Sequence, residues 1–128
     1  KIIEEFRTNG GKVGGPFEGA PLLLLTTTGA KSGQRRTSPL VYLPDGDRMI
    51  IFASKAGAPT NPDWYHNLVA HPQVTIEAGT ENFEAKAVII TGEERDRLYA
   101  RQAERAPSFA EYETKTTRKI PVIALKRQ

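Results

Sequence analysis

Residues 21–43 read PLLLLTTTGAKSGQRRTSPLVYL, and this stretch decides the fold. The apolar run from Pro21 to Thr28, which ends in threonines, has the composition of a buried β-strand. The segment from Arg35 to Leu43 has the composition of a second strand, and Gly29 to Gly33 turns the chain between them. We therefore predict two neighbouring strands joined by a polar, glycine-containing loop.

The same strand pattern recurs along the chain. Pro44-Asp45-Gly46-Asp47 is a hairpin signal, and Gly79-Thr80 marks a second turn. Further strands are predicted over 48–54, 73–78, 82–90 and 120–125. Because hairpins rather than regular helical crossovers join most strands, we predict a mainly β (α+β) fold, an antiparallel barrel with peripheral helices.

The helices are predicted from their terminal residues. Residues 1–7 form the end of a helix, followed by a flexible connector over 9–16. Asn61 is predicted to cap a helix that has Pro62 at its first position and ends near Ala70. Residues 91–94 and 108–111 both match the capping-box pattern, so we predict a helix from 91 to about 105 and a short one carrying Tyr112.

Composition indicates one domain over residues 1–128. The chain has 18 Lys and Arg against 15 Asp and Glu, and no cysteine. No apolar run approaches the roughly 20 residues that span a bilayer, and no signal peptide is visible, so we expect a cytoplasmic protein. Since the sequence opens on Lys1, we expect an N-terminal segment to be missing, and a peripheral membrane contact through that segment stays open.

The loop between the first two strands has the chemistry of a phosphate site. From Gly19 to Pro44 there is no carboxylate, whereas Lys31 and Arg36 supply fixed positive charge. Glycines and free backbone N–H groups suit an anion, although a plain polar hairpin turn is the alternative interpretation. The spacing matches neither a Walker A loop nor a Rossmann fingerprint, which disfavours nucleotide hydrolysis and nicotinamide binding.

A second segment, Asn61-Pro62-Asp63-Trp64-Tyr65-His66-Asn67-Leu68, begins a helix. A helix N-terminus has unpaired N–H groups and a partial positive charge. Trp64 and Tyr65 are either site residues or core anchors, and Asn67 lies one turn beyond Asp63. Together with the loop, this segment predicts a site for an anionic, planar cofactor.

A third candidate region lies at the end of the strand over 48–54. Ser54 and Lys55 project at the strand–loop junction, and the small Ala53 would allow a flat ring to approach the backbone. The alternative interpretation is an ordinary strand end with no binding role, at which the lysine is solvated. His66 and His71 are five residues apart without zinc-site spacing, so no metal is expected. The absence of Cys and of Gly-x-Ser-x-Gly leaves the chemistry to a cofactor.

Two motifs resemble those of the deazaflavin-dependent nitroreductase family. They are Leu24-Leu25-Thr26-Thr27-Thr28-Gly29-x-Lys31-Ser32-Gly33-Gln34-x-Arg36 and Asn61-Pro62-x-Trp64-Tyr65-x-Asn67-Leu68, within a similarity that runs from about Gly14 to the C-terminus. Members adopt a split β-barrel like that of the FMN-binding pyridoxamine-phosphate oxidases. They bind the anionic 5-deazaflavin coenzyme F420, reduce quinones and in some cases nitroimidazoles, and occur chiefly in actinobacteria.

The resemblance implies a set of cofactor contacts: Ala30, Lys31, Ser32, Arg36, Thr37, Ser38, Pro39, Leu40, Val41, Phe52, Ala53, Ser54, Lys55, Asp63, Trp64, Tyr65, His66, Asn67 and Phe109. Ser54, Lys55 and Tyr112 would be the catalytic residues, because their donors could hydrogen-bond an oxyanion on the acceptor. Phe109 and Tyr112 would contact the acceptor. Phe109 and Ala106 stand where the nitroimidazole-activating member has tyrosines, which favours quinone reduction over nitroimidazole reduction.

The predicted function is therefore hydride transfer from reduced F420 to an electron-poor quinone or nitro compound. One alternative is an FMN-binding reductase on the same barrel. Another, from a different class, is a polyanion- or RNA-binding barrel without redox activity that uses Trp64 and Tyr65 as stacking platforms. Most aromatic residues are placed for core or pocket roles, so no nucleic acid partner is expected.

Overall fold

The computed structural model describes residues 2–14 and 21–128. Lys1, and with it the start of the predicted first helix, lies outside the described residues, as do Gly15 and Pro16 of the predicted connector. The strands are β1 Leu22–Thr28, β2 Arg35–Val41, β3 Leu43–Asp45, β4 Arg48–Phe52, β5 Gln73–Ala78, β6 Glu81–Ile90 and β7 Val122–Arg127. The helices are α1 Ile2–Thr8, α2 Asp63–Ala70, α3 Gly92–Arg105 and α4 Ser108–Lys115, with a 3-10 helix at Lys55–Gly57.

The strands form one antiparallel sheet in the order β2-β1-β5-β6-β7-β4-β3. Its two edge strands, β2 and β3, are separated in the chain by Tyr42 alone. The Tyr42 N–H donates to the carbonyl of Pro21 at 3.0 Å and so remains bonded to the β1 side. Since one residue cannot span a flat sheet of this width, the sheet curls until its edges meet. The predicted antiparallel barrel with peripheral helices is confirmed.

The concave face of the sheet holds the larger apolar cluster. Leu23 and Leu25 of β1 and Ile123 of β7 are fully buried in it, and Trp64 and Leu68 of α2 pack against the same cluster. Helix α2 therefore sits over this core next to β1, which it contacts directly. This packing fixes the start of α2 close to the β1–β2 loop.

The outer face of the sheet is also covered. Leu22 and Leu24 pack against Phe6 of α1. Phe52 and other residues of β4 and β7 pack against Leu98 of α3 in a separate cluster. Because β1 is buried on both faces, its four leucines read as a continuous apolar run instead of an alternating one.

Several predicted boundaries are wrong, for identifiable reasons. The predicted strand over 35–43 breaks at Tyr42, where the chain passes from one edge of the sheet to the other. The strand predicted over 48–54 is β4, which ends at Phe52, so Ser54 lies beyond it. Asn61 is not the cap of α2: Pro62 occupies that position, and the side-chain oxygen of Asn61 accepts a hydrogen bond from Arg118 at 2.7 Å.

The two predicted capping boxes do not form. Thr91 takes the N-cap position of α3 but makes no side-chain cap hydrogen bond. Ser108 lies inside α4 rather than at its cap, which is Pro107. In α4 the N–H groups of Phe109 and Ala110 donate to the carbonyls of Ala106 and Pro107, at 2.9 and 3.1 Å. These N–H groups are therefore not available to donate a capping hydrogen bond to the Ser108 hydroxyl.

Two features are missing from residues 2–14 and 21–128. Within them no helix is both long and apolar enough to cross a bilayer. In the same described part of the chain, no group of three or more His, Asp or Glu side chains is arranged to hold a metal ion.

Candidate functional site

A cavity of about 810 Å³ lies between the β1–β2 loop and the start of α2. It is lined by Gly29, Ala30, Lys31, Ser32, Arg36, Thr37, Ser38, Asp63, Trp64, His66 and Asn67. All of these except Gly29 belong to the set predicted to contact a cofactor. Two segments that are separated by about thirty residues in the chain thus meet around one space.

Glycines give the β1–β2 loop its shape. The Gly29 N–H donates to the carbonyl of Gln34 at 2.7 Å, and the Gly33 N–H donates back to the carbonyl of Gly29 at 3.0 Å. Gly33 has a φ of +72°, which L side chains rarely adopt. A Cβ on Gly29 would lie 2.5 Å from the Ser32 hydroxyl oxygen and 3.2 Å from the Gln34 carbonyl oxygen, so a side chain there would displace the serine hydroxyl.

The expectation of free backbone N–H groups holds for part of the loop. The N–H of Ala30 donates to Asn67 Oδ1 at 3.0 Å, and that of Gln34 donates to the Ser32 hydroxyl at 3.2 Å. The N–H groups of Lys31 and Ser32 have no acceptor within residues 2–14 and 21–128. Unpaired donors at the mouth of a cavity are suited to an anionic ligand.

The charges around the cavity are mainly positive. Lys31 and Arg36 are exposed and make no ion pair with any described residue. Arg35, the next residue on β2, is occupied elsewhere, because it donates to the hydroxyls of Thr28 and Thr75 at 3.1 and 2.7 Å. The lining contains two cations against the single carboxylate of Asp63.

The N-terminus of α2 adds a partial positive charge at the edge of the cavity. Pro62 at the N-cap makes no side-chain hydrogen bond, so the N–H groups of Asp63 and Trp64 rely on other acceptors. The helix dipole also favours an anion here. The carboxylate of Asp63 would repel an anion, so its contribution would come from the backbone N–H.

The remaining predicted residues of α2 and β2 pack mainly on the core, and most of them lie away from this cavity. Trp64 is buried in the inner cluster and reaches the cavity, whereas Tyr65 packs on that cluster without lining the cavity. On β2, Leu40 packs on the inner cluster and Val41 on the cluster around α1. Pro39 is half-buried and also outside the lining.

The predicted residues at the end of β4 form a separate region. Phe52 and Ala53 are buried in opposite clusters, and Ser54 is 9% exposed. Lys55 has a φ of +46°, a left-handed conformation that is strained for a residue with a side chain. Its ammonium donates to the hydroxyl of Thr60 at 3.4 Å.

Helix α4 packs over this region. A Cβ on Gly57, in the 3-10 helix, would lie 2.9 Å from Lys115 Cβ and 3.1 Å from the carbonyl oxygen of Tyr112. The side chain of Phe109 meets Phe52 edge-on with ring centroids 5.7 Å apart, and Tyr112 with centroids 5.1 Å apart. Phe109 is therefore partly committed to holding α4 on the sheet.

Two structural residues escaped the sequence analysis. The hydroxyl of Tyr99 donates to the carbonyl of Phe109 at 2.6 Å, and burial raises the pKa of Tyr99 to about 12. Arg118 binds backbone carbonyls between Ala53 and Ala58. The sequence near Tyr99 or Arg118 does not predict these contacts, because the acceptors are backbone carbonyls of distant residues and every residue has a backbone carbonyl.

The motifs agree with comparisons to known proteins. Residues 1–127 match the model of the F420H2-dependent quinone reductase family. The chain belongs to this family. The F420H2-dependent quinone reductase Rv1261c of Mycobacterium tuberculosis is 42% identical over 129 residues, which cover 96% of this chain and 85% of that protein. The resemblance stated from the motifs is confirmed.

Solved structures agree with the fold. The F420-H2 dependent reductase FDR-A is 40% identical with a TM-score of 0.76, over 83% of this chain and 94% of that one. A Listeria innocua structure assigned as a pyridoxamine 5′-phosphate oxidase is 12% identical with a TM-score of 0.60, over 84% of each chain, and it shares the fold alone. The split-barrel class is confirmed, and neither the FMN-dependent nor the RNA-binding alternative gains support.

Proposed function

We propose that this protein is an F420H2-dependent quinone reductase, and that the cavity between the β1–β2 loop and α2 binds the phosphate of the cofactor. The observation that carries the site assignment is the convergence on one space of Lys31, Arg36 and two backbone N–H groups that have no acceptor among the residues the structure describes. Family membership carries the activity.

The residues present fit an anionic cofactor. A cavity of about 810 Å³ is in the range of small-molecule and cofactor sites. Lys31 would act as a point charge, and Arg36 would offer paired donors to phosphate oxygens. The N–H groups of Lys31 and Ser32 would complete the anion site. When bound, the deazaflavin supplies the hydride for the reduction.

The role of the remaining residues is orientation. We assign Ser54, Lys55 and Tyr112 to the acceptor side, where a donor would stabilise negative charge developing on a quinone oxygen. These residues lie at the end of β4 and on α4, and Gly57 brings those two elements together. The acceptor carbonyl would be held by hydroxyl or ammonium donors, and water would supply the proton.

The acceptor is proposed to be a quinone rather than a nitroimidazole. Phe109 and Ala106 have no hydroxyl, and Phe109 packs into an aromatic cluster with Phe52 and Tyr99. Tyr112 is then the nearest phenol to this cluster on α4. A smaller set of donors suits an acceptor that is already easy to reduce.

The test is cofactor oxidation with purified protein. Reduced F420 and menadione are mixed with the protein, and the return of the visible absorption of oxidised F420 is followed. We expect turnover with F420 and tight binding in a fluorescence titration, and much weaker binding of FMN. Equal or tighter binding of FMN, or no oxidation of reduced F420, would refute the proposal.

A further inference from the structure

Arg118, between α4 and β7, makes four hydrogen bonds to one distant segment. Its guanidinium donates from Nε to the carbonyl of Ala58 at 2.9 Å and from Nη2 to that of Ser54 at 2.8 Å. Nη1 donates to the carbonyl of Ala53 at 3.1 Å and to Asn61 Oδ1 at 2.7 Å. All three guanidinium nitrogens are thus engaged by residues 53–61.

Carbonyl and amide oxygens, rather than a carboxylate, surround this arginine. No carboxylate within residues 2–14 and 21–128 forms an ion pair with Arg118. Burial lowers the pKa of its guanidinium. The charge is satisfied by the dipoles of three carbonyls and one amide, so the guanidinium stays in place only while residues 53–61 keep their present conformation.

The segment that Arg118 binds connects the two parts of the site. It begins where β4 ends, at Ser54 and Lys55, and it leads through Asn61 into the start of α2, which borders the cavity. Lys55 keeps its left-handed φ of +46° within this segment. Strained conformations of this kind persist where the surrounding contacts over-determine them, and the bond to the Ser54 carbonyl acts on the peptide directly before Lys55.

We infer that Arg118 is a positioning residue that fixes the acceptor side at Ser54 and Lys55 relative to the anion site at the start of α2. The inference rests on the proposed function, because it assumes that these two parts hold opposite ends of one cofactor–acceptor complex. A fixed separation matters for the reaction, since a misplacement of about 1 Å can cost on the order of a hundredfold in rate.

The chain offers a matched control in Arg95. This buried arginine of α3 donates from Nε and Nη2 to the carbonyl of Ile120, at 3.1 and 2.7 Å. Like Arg118 it binds a backbone carbonyl, here two residues after Arg118 in the chain, but its Nη1 also pairs with the carboxylates of Asp96 and Glu113, at 3.0 and 3.8 Å. It does not line the cavity, and its hydrogen bonds within the described residues go to Ile120 and Asp96 rather than to residues 53–61.

The experiment compares Arg118→Lys and Asn61→Ala with Arg95→Lys. Three quantities are measured on the full chain: the melting temperature, the Kd for F420 from fluorescence, and kcat and KM for menadione at saturating cofactor. Amide hydrogen exchange of residues 54–61 without cofactor reports the segment directly. Lysine keeps the charge but cannot reach four acceptors in different directions.

We expect Arg118→Lys to speed exchange over 54–61, to weaken F420 binding at least fivefold and to lower kcat at least tenfold. Asn61→Ala should shift the same quantities less. Arg95→Lys should lower the melting temperature while kcat and Kd stay within threefold of the parent. Unchanged exchange and kcat in Arg118→Lys, or equal kcat losses in Arg95→Lys, would overturn the inference. Failure of the parent protein to bind F420 would instead overturn the proposed function and this inference with it.

Discussion

The side-chain oxygen of Asn67 accepts a hydrogen bond from the backbone N–H of Ala30 at 3.0 Å, which joins α2 to the loop between β1 and β2. The amide nitrogen of Asn67 donates to the Thr27 hydroxyl at 3.2 Å, and the side chain is 9% exposed. The two halves of the cavity are therefore held together by one buried amide.

Asn67→Ala should loosen the loop and weaken cofactor binding. Loss of both hydrogen bonds leaves the Ala30 N–H without its acceptor, at a cost of about 1–3 kcal/mol in unfolding free energy. Comparison with Asn67→Asp separates the hydrogen bond from the charge, because aspartate retains the acceptor oxygen but adds a negative charge beside the anion site. We expect Asn67→Asp to unfold nearer to the parent but to bind F420 more weakly than Asn67→Ala. The measurements are chemical denaturation and fluorescence titration.

Lys31→Ala and Arg36→Ala should each weaken F420 binding by about 1.5–3 kcal/mol, which is roughly ten- to more than a hundredfold in Kd. Each change removes a charge-assisted partner of the phosphate, so kcat at saturating cofactor should change less. Arg35→Ala is the matched control on the same strand, since Arg35 donates to Thr28 and Thr75. Parent-like binding in both test variants, or equal weakening in the control, would remove the loop from the phosphate site.

The sequence predicted the fold where the signal is local. The four leucines of β1 and the Gly46 turn were sufficient to predict strands and a hairpin, and the loop and α2 motifs identified most of the residues that line the cavity. The break at Tyr42 was missed because the apolar composition continues through it. That break depends on the closure of the sheet, which no short window contains.

The capping errors have the same origin. Asn61 has a good cap side chain, but its oxygen is taken by Arg118, 57 residues away in the chain. Ser108 follows Pro107, whose carbonyl already accepts from the first turn of α4. Local patterns predict which groups need partners, whereas tertiary packing decides which partners they find.

Stability should depend on pH through Asp45. Hydrogen bonds from Arg48, and then from Arg101, hold the pKa of this carboxyl below its usual range. A lowered folded-state pKa stabilises the protein above the unfolded-state pKa of about 3.9, and this contribution is lost as pH falls through the folded-state value. Because Asp45 is partly exposed, Asp45→Asn should cost only about 1 kcal/mol at pH 7.

The cost of Asp45→Asn should shrink as pH falls below about 4, because the unfolded parent then binds a proton at Asp45 that the folded parent still resists. Asp47, in the same turn, has no ion pair within the described residues, and Asp47→Asn should have little effect at either pH. Denaturation curves at pH 7 and pH 3 measure both differences. A cost in Asp45→Asn that is equal at the two pH values would contradict the assignment.

Gly57→Ala should disturb α4, whereas Gly46→Ala should not. Both glycines have positive φ, at +82° and +61°, so both changes carry backbone strain of about 1–2 kcal/mol. Only at Gly57 would the new Cβ meet other atoms, Lys115 Cβ and the Tyr112 carbonyl of α4. We expect a larger fall in melting temperature for Gly57→Ala and a loss of quinone turnover that Gly46→Ala lacks. Equal effects on turnover would show that the packing of α4 against Gly57 does not affect the reaction.

Tyr112 and Phe109 differ by one hydroxyl on the same helix, which allows a direct test of the acceptor side. The two rings lie 5.1 Å apart, and within the described ranges 2–14 and 21–128 the hydroxyl of Tyr112 has no hydrogen-bond partner. Phe109 instead packs against Phe52 and Tyr99. A free phenol is available to donate to an acceptor oxygen, whereas the Phe109 ring is occupied by packing.

Tyr112→Phe should therefore slow menadione reduction by up to about tenfold, which corresponds to one hydrogen bond of about 1.4 kcal/mol. The melting temperature should change little, since the lost hydroxyl has no partner in the protein. Phe109→Tyr should leave quinone reduction nearly intact and raise nitroimidazole reduction, because it adds a donor. Steady-state turnover of both variants with both acceptors at saturating F420 decides the matter. Parent-like kinetics in Tyr112→Phe would mean that this hydroxyl does not reach the acceptor, and the acceptor site would then have to be sought among Ser54 and Lys55 alone.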